Sequence, residues 1–267
     1  MQEIDLDAYF KRINWKEPAS PTLDTLDALM HAHMASIPFE NLDVLLGRPI
    51  ALGLESVQNK LVHAARGGYC MEHGMLFGAV LDRLGFNPAR HAARVLMQRA
   101  LAEAPRTHMF LSVEIEGKGY VVDPGFGGLG PSKPVPLSDA DADDSVASHW
   151  MVRSGERWIM RARSGGEALD VWSTTLEHEN TIDFKMANHY TSTYSESPFV
   201  NNMMLRAVTP DGYVTVMNRN VKVWRGDECQ SAVLANRQAL RSLLREHFGF
   251  DLEDVEHIRV PAIPEWE

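Results

Sequence analysis

The stretch Arg66-Gly67-Gly68-Tyr69-Cys70-Met71-Glu72-His73-Gly74 sets a cysteine just after a glycine pair and at the head of the apolar-periodic segment 71–86. Glycines, lacking a Cβ, allow a tight turn. A thiol in the first turn of a helix meets unsatisfied N–H groups and the positive end of the helix dipole, and both favour the thiolate. Attack on a carbonyl carbon is the chemistry such a thiolate performs. The competing role for Cys70 is buried filler, since free cysteine is among the most buried residue types.

Two further residues weigh against filler. His108 opens the run Met109-Phe110-Leu111-Ser112-Val113, and Asp123 closes the run Tyr120-Val121-Val122. If Glu116-Gly117-Lys118-Gly119 is a hairpin turn, with Gly117 and Gly119 in it, the two runs are antiparallel neighbours and the start of one faces the end of the other. His108 and Asp123 then meet. A carboxylate that orients an imidazole, which in turn takes a thiol proton, is the arrangement of nucleophilic cysteine catalysis.

Elements able to hold these groups follow from hydrophobic period. Segments 5–13, 22–37, 55–66 and 71–86 carry apolar residues at helical spacing, with Thr22 or Asp24 as a cap and Gly85 as a stop. From residue 86 the pattern changes to short β-branched and aromatic runs bounded by Gly, Pro, Ser or Asp at 89–97, 108–117, 119–126, 148–155, 157–165 and 169–175. Strand signals recur over 208–226, and 229–250 has helical spacing. The expected class is α+β: an N-terminal helical bundle (1–85) carrying the cysteine, a central antiparallel β-barrel (86–190) carrying the histidine and aspartate, and a C-terminal α/β part (191–267).

Composition bounds the function. The chain has 267 residues, 45% hydrophobic and 23% charged, which is ordinary for a globular protein and excludes disorder. A net charge of −10 without any basic segment argues against a nucleic-acid partner. Two cysteines, Cys70 and Cys229, are too few for a disulfide scaffold or a structural zinc site, so no metal is expected. The N-terminal stretch lacks an apolar signal core, and no run approaches the roughly 18 apolar residues of a membrane span. A cytoplasmic address and no membrane partner are the expectation.

The order Cys, His, Asp is that of the transglutaminase-like cysteine enzymes. More closely, the sequence resembles the arylamine N-acetyltransferases through Pro38-Phe39-Glu40-Asn41-Leu42-Asp43, Arg66 to Glu72, Thr107-His108, Val122-Asp123-Pro124-Gly125-Phe126-Gly127-Gly128, Tyr190-Thr191-Ser192-Thr193 and Pro198-Phe199. The resemblance implies a bundle, a barrel and an α/β lid. It also implies no permanently bound cofactor, acetyl-coenzyme A as co-substrate, and ping-pong transfer to a small aromatic amine or hydrazine. Cys70 would be the nucleophile, His108 its base and Asp123 the orienting carboxylate. Gly125, Phe126, Gly127 and Gly128 would lie beside donor or acceptor, with Phe39 and Phe199 also lining the substrate cleft. Glu40 and Asn41 are expected to pair with Arg66 and brace the turn before Cys70, with Glu72 and Thr107 in supporting positions.

Gly74 stands where the family commonly has asparagine, and Pro124 where a small branched residue is usual. The proline deletes a backbone N–H after Asp123. His73, beside Glu72, could modulate a neighbouring pKa but is expected rather to be solvated, and Cys229 is expected to be packing. The same three reactive residues would also serve a family amide synthase or a transglutaminase-like hydrolase, and propionyl or malonyl donors are equally compatible.

Overall fold

The computed structural model describes residues 3–97, 99–139, 148–263 and 265–266. The chain divides into two compact units, one of Glu17–His31 and Cys70–Ala187, the other of Met1–Lys16, Ala32–Tyr69 and Asn188–Glu267.

The first unit is built on an antiparallel sheet of seven strands. These are β2 (Ala89–Val95), β3 (Arg106–Ile115), β4 (Lys118–Val122), β5 (Val135–Pro136), β6 (His149–Ser154), β7 (Arg157–Ser164) and β8 (Glu167–Thr174), in the order β5-β4-β3-β2-β8-β7-β6. The edge strands β5 and β6 pack together, so the sheet nearly closes into a barrel. Its interior is filled by Ala93, Phe110, Val121, Val135, Met151, Met160, Ala162, Val171 and Trp172. Helix α5 (Cys70–Arg83) packs on β3. It buries Leu76, Phe77, Val80 and Leu81 and stops at Gly85, whose φ of 83° is the left-handed conformation of a helix end. In α2 (Leu23–Ser36) Thr22 is the cap, its Oγ1 accepting from the Thr25 amide at 3.3 Å.

The second unit contains α1 (Leu6–Arg12) and β1 (Phe39–Glu40), then α3 (Leu42–Leu45) and α4 (Leu54–Gln58), the last extended by a π turn over Asn59–His63. Strand β1 edges a five-stranded antiparallel sheet with β9 (Met204–Thr209), β10 (Gly212–Met217), β11 (Asn220–Arg225) and β12 (Glu228–Val233). The sheet and α8 (Arg237–Leu243) share a core that includes Leu205, Val214, Val216, Leu240 and Leu244.

The α+β class and its barrel are as expected from the sequence. Three local features are not. The β3–β4 turn consists of Glu116 and Gly117, at φ 52° and 73°, while Gly119 lies in β4 opposite Glu114; positive φ at both central positions is what a type I′ hairpin turn requires. Residues 229–233, with helical spacing, instead form the edge strand β12, paired with β11 along one side, and α8 starts only after Asn236 caps the Ala239 amide at 2.9 Å. Helix α6 (Thr181–Thr193) carries no clear periodic signal and exposes Ile182 and Met186.

Candidate active site

Cys70 is the first residue of α5 and is buried, 4% exposed. Its thiol faces the Thr107 carbonyl at 3.8 Å, at the start of β3. One residue on, His108 enters the barrel interior. Leu111 pairs with Val122, so Asp123, just past the end of β4, comes level with this end of β3. The His108 Nε2–Asp123 Oδ2 distance is 2.8 Å, and both side chains are buried. With Nε2 committed to the carboxylate, Nδ1 is the ring nitrogen left to serve the thiol.

Burial works against charging His108, but the charge and hydrogen bond of Asp123, joined by Cys70, outweigh it and push its pKa up to about 10. The imidazolium therefore persists at neutral pH. A positive group beside a thiol favours the thiolate.

Asp123 has a second donor that the sequence did not reveal. Trp172, in β8, donates from Nε1 to Asp123 Oδ2 at 3.2 Å, and its ring stacks on Phe110 at 4.5 Å. Both donors use the same oxygen, so the buried Oδ1 has no hydrogen-bond partner among the described residues. Pro124 bears on this, since it offers no backbone N–H next to the carboxylate. Nothing in the sequence around Trp172 distinguishes it from an ordinary core aromatic; only the closing of the barrel brings β8 to Asp123.

The glycine-rich loop closes over the cysteine. A Cβ on Gly125 would sit 2.9 Å from Cys70 Cα and 2.9 Å from His73 Cβ, so no larger residue fits without displacing backbone. Phe126 meets the His108 ring edge-on, with centroids 4.9 Å apart. Gly127 has φ 84°, and a Cβ on Gly128 would meet open space. Glu72 and His73 are both buried in the first turn of α5. His73 is thus not the solvated side chain expected, because the approach of Gly125 covers it. A Cβ on Gly74 would lie 2.9 Å from Met109 Sδ, in the flexible part of that side chain.

The turn leading into Cys70 is braced within the second unit. Glu40 N–H donates to Gly68 O at 2.8 Å, and Gly68 N–H to Pro38 O at 3.2 Å. A Cβ on Gly67 would lie 2.2 Å from Pro38 O. Arg66 donates to Glu40 Oε1 from Nε (3.1 Å) and Nη2 (2.7 Å), while Glu40 Oε2 accepts from the Leu42 amide at 2.7 Å. Asp43 adds contacts to Arg66 at 3.2 Å and to Lys60 at 2.8 Å. Burial opposes charge on Asp43, yet Lys60 and Arg66 hold its pKa below the usual carboxylate value.

Asn41 does not join this cluster. It donates to the carbonyls of Phe199 and Asn202, each at 2.8 Å, and accepts from the Met204 amide at 2.9 Å. An amide has two donors and an acceptor, and three backbone groups of the 199–204 segment use them. Phe199 lies with its ring centroid 6.2 Å from that of Phe39 and 5.4 Å from that of Tyr69. Cys229, expected to be packing, is instead exposed on the edge strand β12.

A buried thiol, imidazole and carboxylate on an α+β scaffold is the equipment of an acyl-handling cysteine enzyme. The comparisons narrow that class. The N-acetyltransferase family matches residues 22–257. The arylamine N-acetyltransferases of Mycobacterium bovis and Escherichia coli are 37% and 34% identical, each over 94% of this chain and 91% of their own. The crystal structure of a Mycobacterium smegmatis variant superimposes with a TM-score of 0.88 at 34% identity, covering 97% of this chain and 99% of that one. The enzyme of Mycobacterium marinum in complex with CoA does so with 0.87 at 32% identity, covering 94% of each. The chain belongs to the arylamine N-acetyltransferase family, and so to the acyltransferases. No helix among the described residues is long and apolar enough to cross a membrane.

Proposed function

We propose that this protein transfers an acetyl group from acetyl-coenzyme A to small aromatic amines or hydrazines through an acetyl-Cys70 intermediate, in ping-pong order. The observation that carries the reading is the buried row Cys70, His108, Asp123, with the imidazole held protonated at neutral pH. The Cys70 thiolate attacks the thioester carbonyl, the sulfur–carbon bond to coenzyme A breaks, and the leaving thiolate takes a proton from the imidazolium. In the second half the amine attacks the acetyl-Cys70 carbonyl and His108, now neutral, accepts the proton the amine sheds. The amide leaves, and Cys70 and His108 return as thiolate and imidazolium. Asp123 fixes the ring with Nε2 turned away from the thiol, supported by Trp172.

Gly125 brings the loop against Cys70, and Phe126 offers a ring face beside His108 for the acyl arm or a flat acceptor. Glu40 and Arg66 hold the preceding turn. The relative from Salmonella typhimurium, 31% identical, is named both arylamine N-acetyltransferase and N-hydroxyarylamine O-acetyltransferase, so hydroxylated amines belong among the acceptors to be tried. The division at residues 85 and 190, with the last part a lid, and a cytoplasmic address belong to the same reading.

Incubation with acetyl-coenzyme A without acceptor should add one acetyl group, seen by intact mass, and Cys70→Ala should abolish it. An absent adduct, or one that survives Cys70→Ala, overturns the proposal. An adduct that water discharges as fast as any amine would mark a hydrolase instead.

A further inference from the structure

Trp172 and Ser173 are consecutive in β8 and point to opposite faces of the sheet. Trp172 fills the barrel, whereas Ser173 belongs to the outer face, which it shares with its cross-strand neighbours Arg94 and Ile159. A cavity of about 370 Å³ opens on that face. Its lining includes Ser173 and Ile159 from the sheet, Arg157 at the start of β7, and Leu96, Arg99 and Leu101 from the β2–β3 connection. The connection is held over the sheet by Arg94, whose Nη1 donates to Ala104 O at 2.6 Å.

Three properties of the cavity point to a ligand. Ser173 is 1% exposed, and its hydroxyl has no hydrogen-bond partner among the described residues, a costly state for a buried polar group. The Arg99 and Arg157 side chains make no hydrogen bond or ion pair among the described residues, and the charges of Arg157 and Arg106 add to burial in lowering the pKa of Arg94. The cavity thus carries uncompensated positive charge on a chain of net charge −10. Its acidic lining residue, Asp170, is paired with Arg161 at 2.7 Å. Finally, the volume lies at the lower end of the range for small-molecule sites, about 300–1,000 Å³.

We propose that this cavity is a second ligand site that binds a small organic carboxylate: the carboxylate meets Arg99 and Arg157 and accepts from Ser173, and the apolar body lies against Leu96, Leu101 and Ile159. A guanidinium fork matches a carboxylate in plane and charge. The site is independent of the chemistry at Cys70.

Benzoate is a suitable probe, because it has a single ring and carries no amine to be acetylated. Calorimetric titration of the whole protein should give one saturable site whose affinity falls with salt, and benzyl alcohol, uncharged and of similar size, should not bind. Arg99→Ala and Arg157→Ala should each weaken binding about tenfold or more, since each removes a charged partner of the carboxylate, and Ser173→Ala, which removes a neutral donor to it, by less. Should Arg157→Ala fail to fold, Arg99→Ala, in an exposed connection, decides the matter alone. Alkylation of Cys70 should leave the titration unchanged. No saturation up to about 10 mM benzoate, a limit of only a few kcal/mol of affinity, overturns the proposal. So does an affinity left unchanged by Arg99→Ala, or binding lost on alkylating Cys70, which would put the probe at the thiol.

Discussion

Around Glu40 in one unit, carboxylates and cations share their charges in a connected cluster, Arg48 joining Asp43 at 3.4 Å and linking it to Asp254. Glu40 and Asp43 are met by Arg66 and Lys60, and the second Glu40 oxygen takes a backbone amide. Around Asp123 in the other, one carboxylate has two donors on the same oxygen and none among the described residues on the other. Both acids are fully buried. The difference lies in what each has been left to do. A balanced cluster costs its desolvation and returns a fixed turn. A carboxylate left partly unsatisfied keeps its field directed at its one cationic partner, and that field holds His108 protonated at pH values where a free imidazole is neutral. The first cluster positions, and the second sets a protonation state.

The largest effect should follow from removing the imidazole. His108→Gln should lower acetyl transfer by at least about 10²–10⁴-fold, the usual worth of a positioned acid–base, because it also removes the partner of the thiolate. Its diagnostic is the pH profile of Cys70 alkylation. With the His108 pKa raised to about 10, the imidazolium is present below that pH and lost above it, so the wild-type rate should stay flat through neutrality. In the variant, without that cation, the rate should rise with pH across the same range. A flat profile in His108→Gln would show that the thiolate needs no imidazolium.

Arg66→Ala tests the other side of the comparison. It strips a fully buried Glu40 of its main partner, and breaking a buried pair typically costs about 3–5 kcal/mol. Lys60 Nζ already stands 3.9 Å from the same oxygen, so the lower figure, about 3 kcal/mol by denaturant unfolding, is expected. The alkylation pH profile should keep its shape. If it acquires the His108→Gln form instead, the two clusters are not separable.

How far these features could be read from the sequence depends on their range. Cys70 was legible because its signal is local: two glycines, a thiol and a helix start. His108 and Asp123 needed one hairpin, and the turn residues Glu116 and Gly117 specify it even though Gly119 proved to be strand. Glu40 and Arg66 were legible from their complementary charge. Trp172 was not, since it reaches Asp123 only after β8 pairs with β2 and β7, and a core tryptophan looks the same with or without a partner for its N–H. The role of Asn41 is not legible, because its partners are backbone atoms of a remote segment, which leave no trace in side-chain type. The burial of His73 and the exposure of Cys229 are illegible for a shared reason: burial belongs to the sheet and loop packing, not to the residue.

The smallest effect tests whether the departure at Gly74 belongs to the chemistry or to packing. A methyl there would come within 2.9 Å of Met109 Sδ and 3.0 Å of Met109 Cγ, the flexible part of a side chain next to His108 in sequence. Methionine can shift a rotamer to yield, at a cost of about 1 kcal/mol or slightly more for mild overpacking. Replacing glycine inside a helix gains a comparable amount, about 1 kcal/mol. Gly74→Ala should therefore change stability by less than about 1 kcal/mol and leave the flat alkylation profile intact, in contrast to both larger substitutions. A profile displaced toward that of His108→Gln would mean that Met109 transmits the strain along β3 to the imidazole. Gly74 would then count among the residues that set the protonation state, on the same side of the comparison as Asp123.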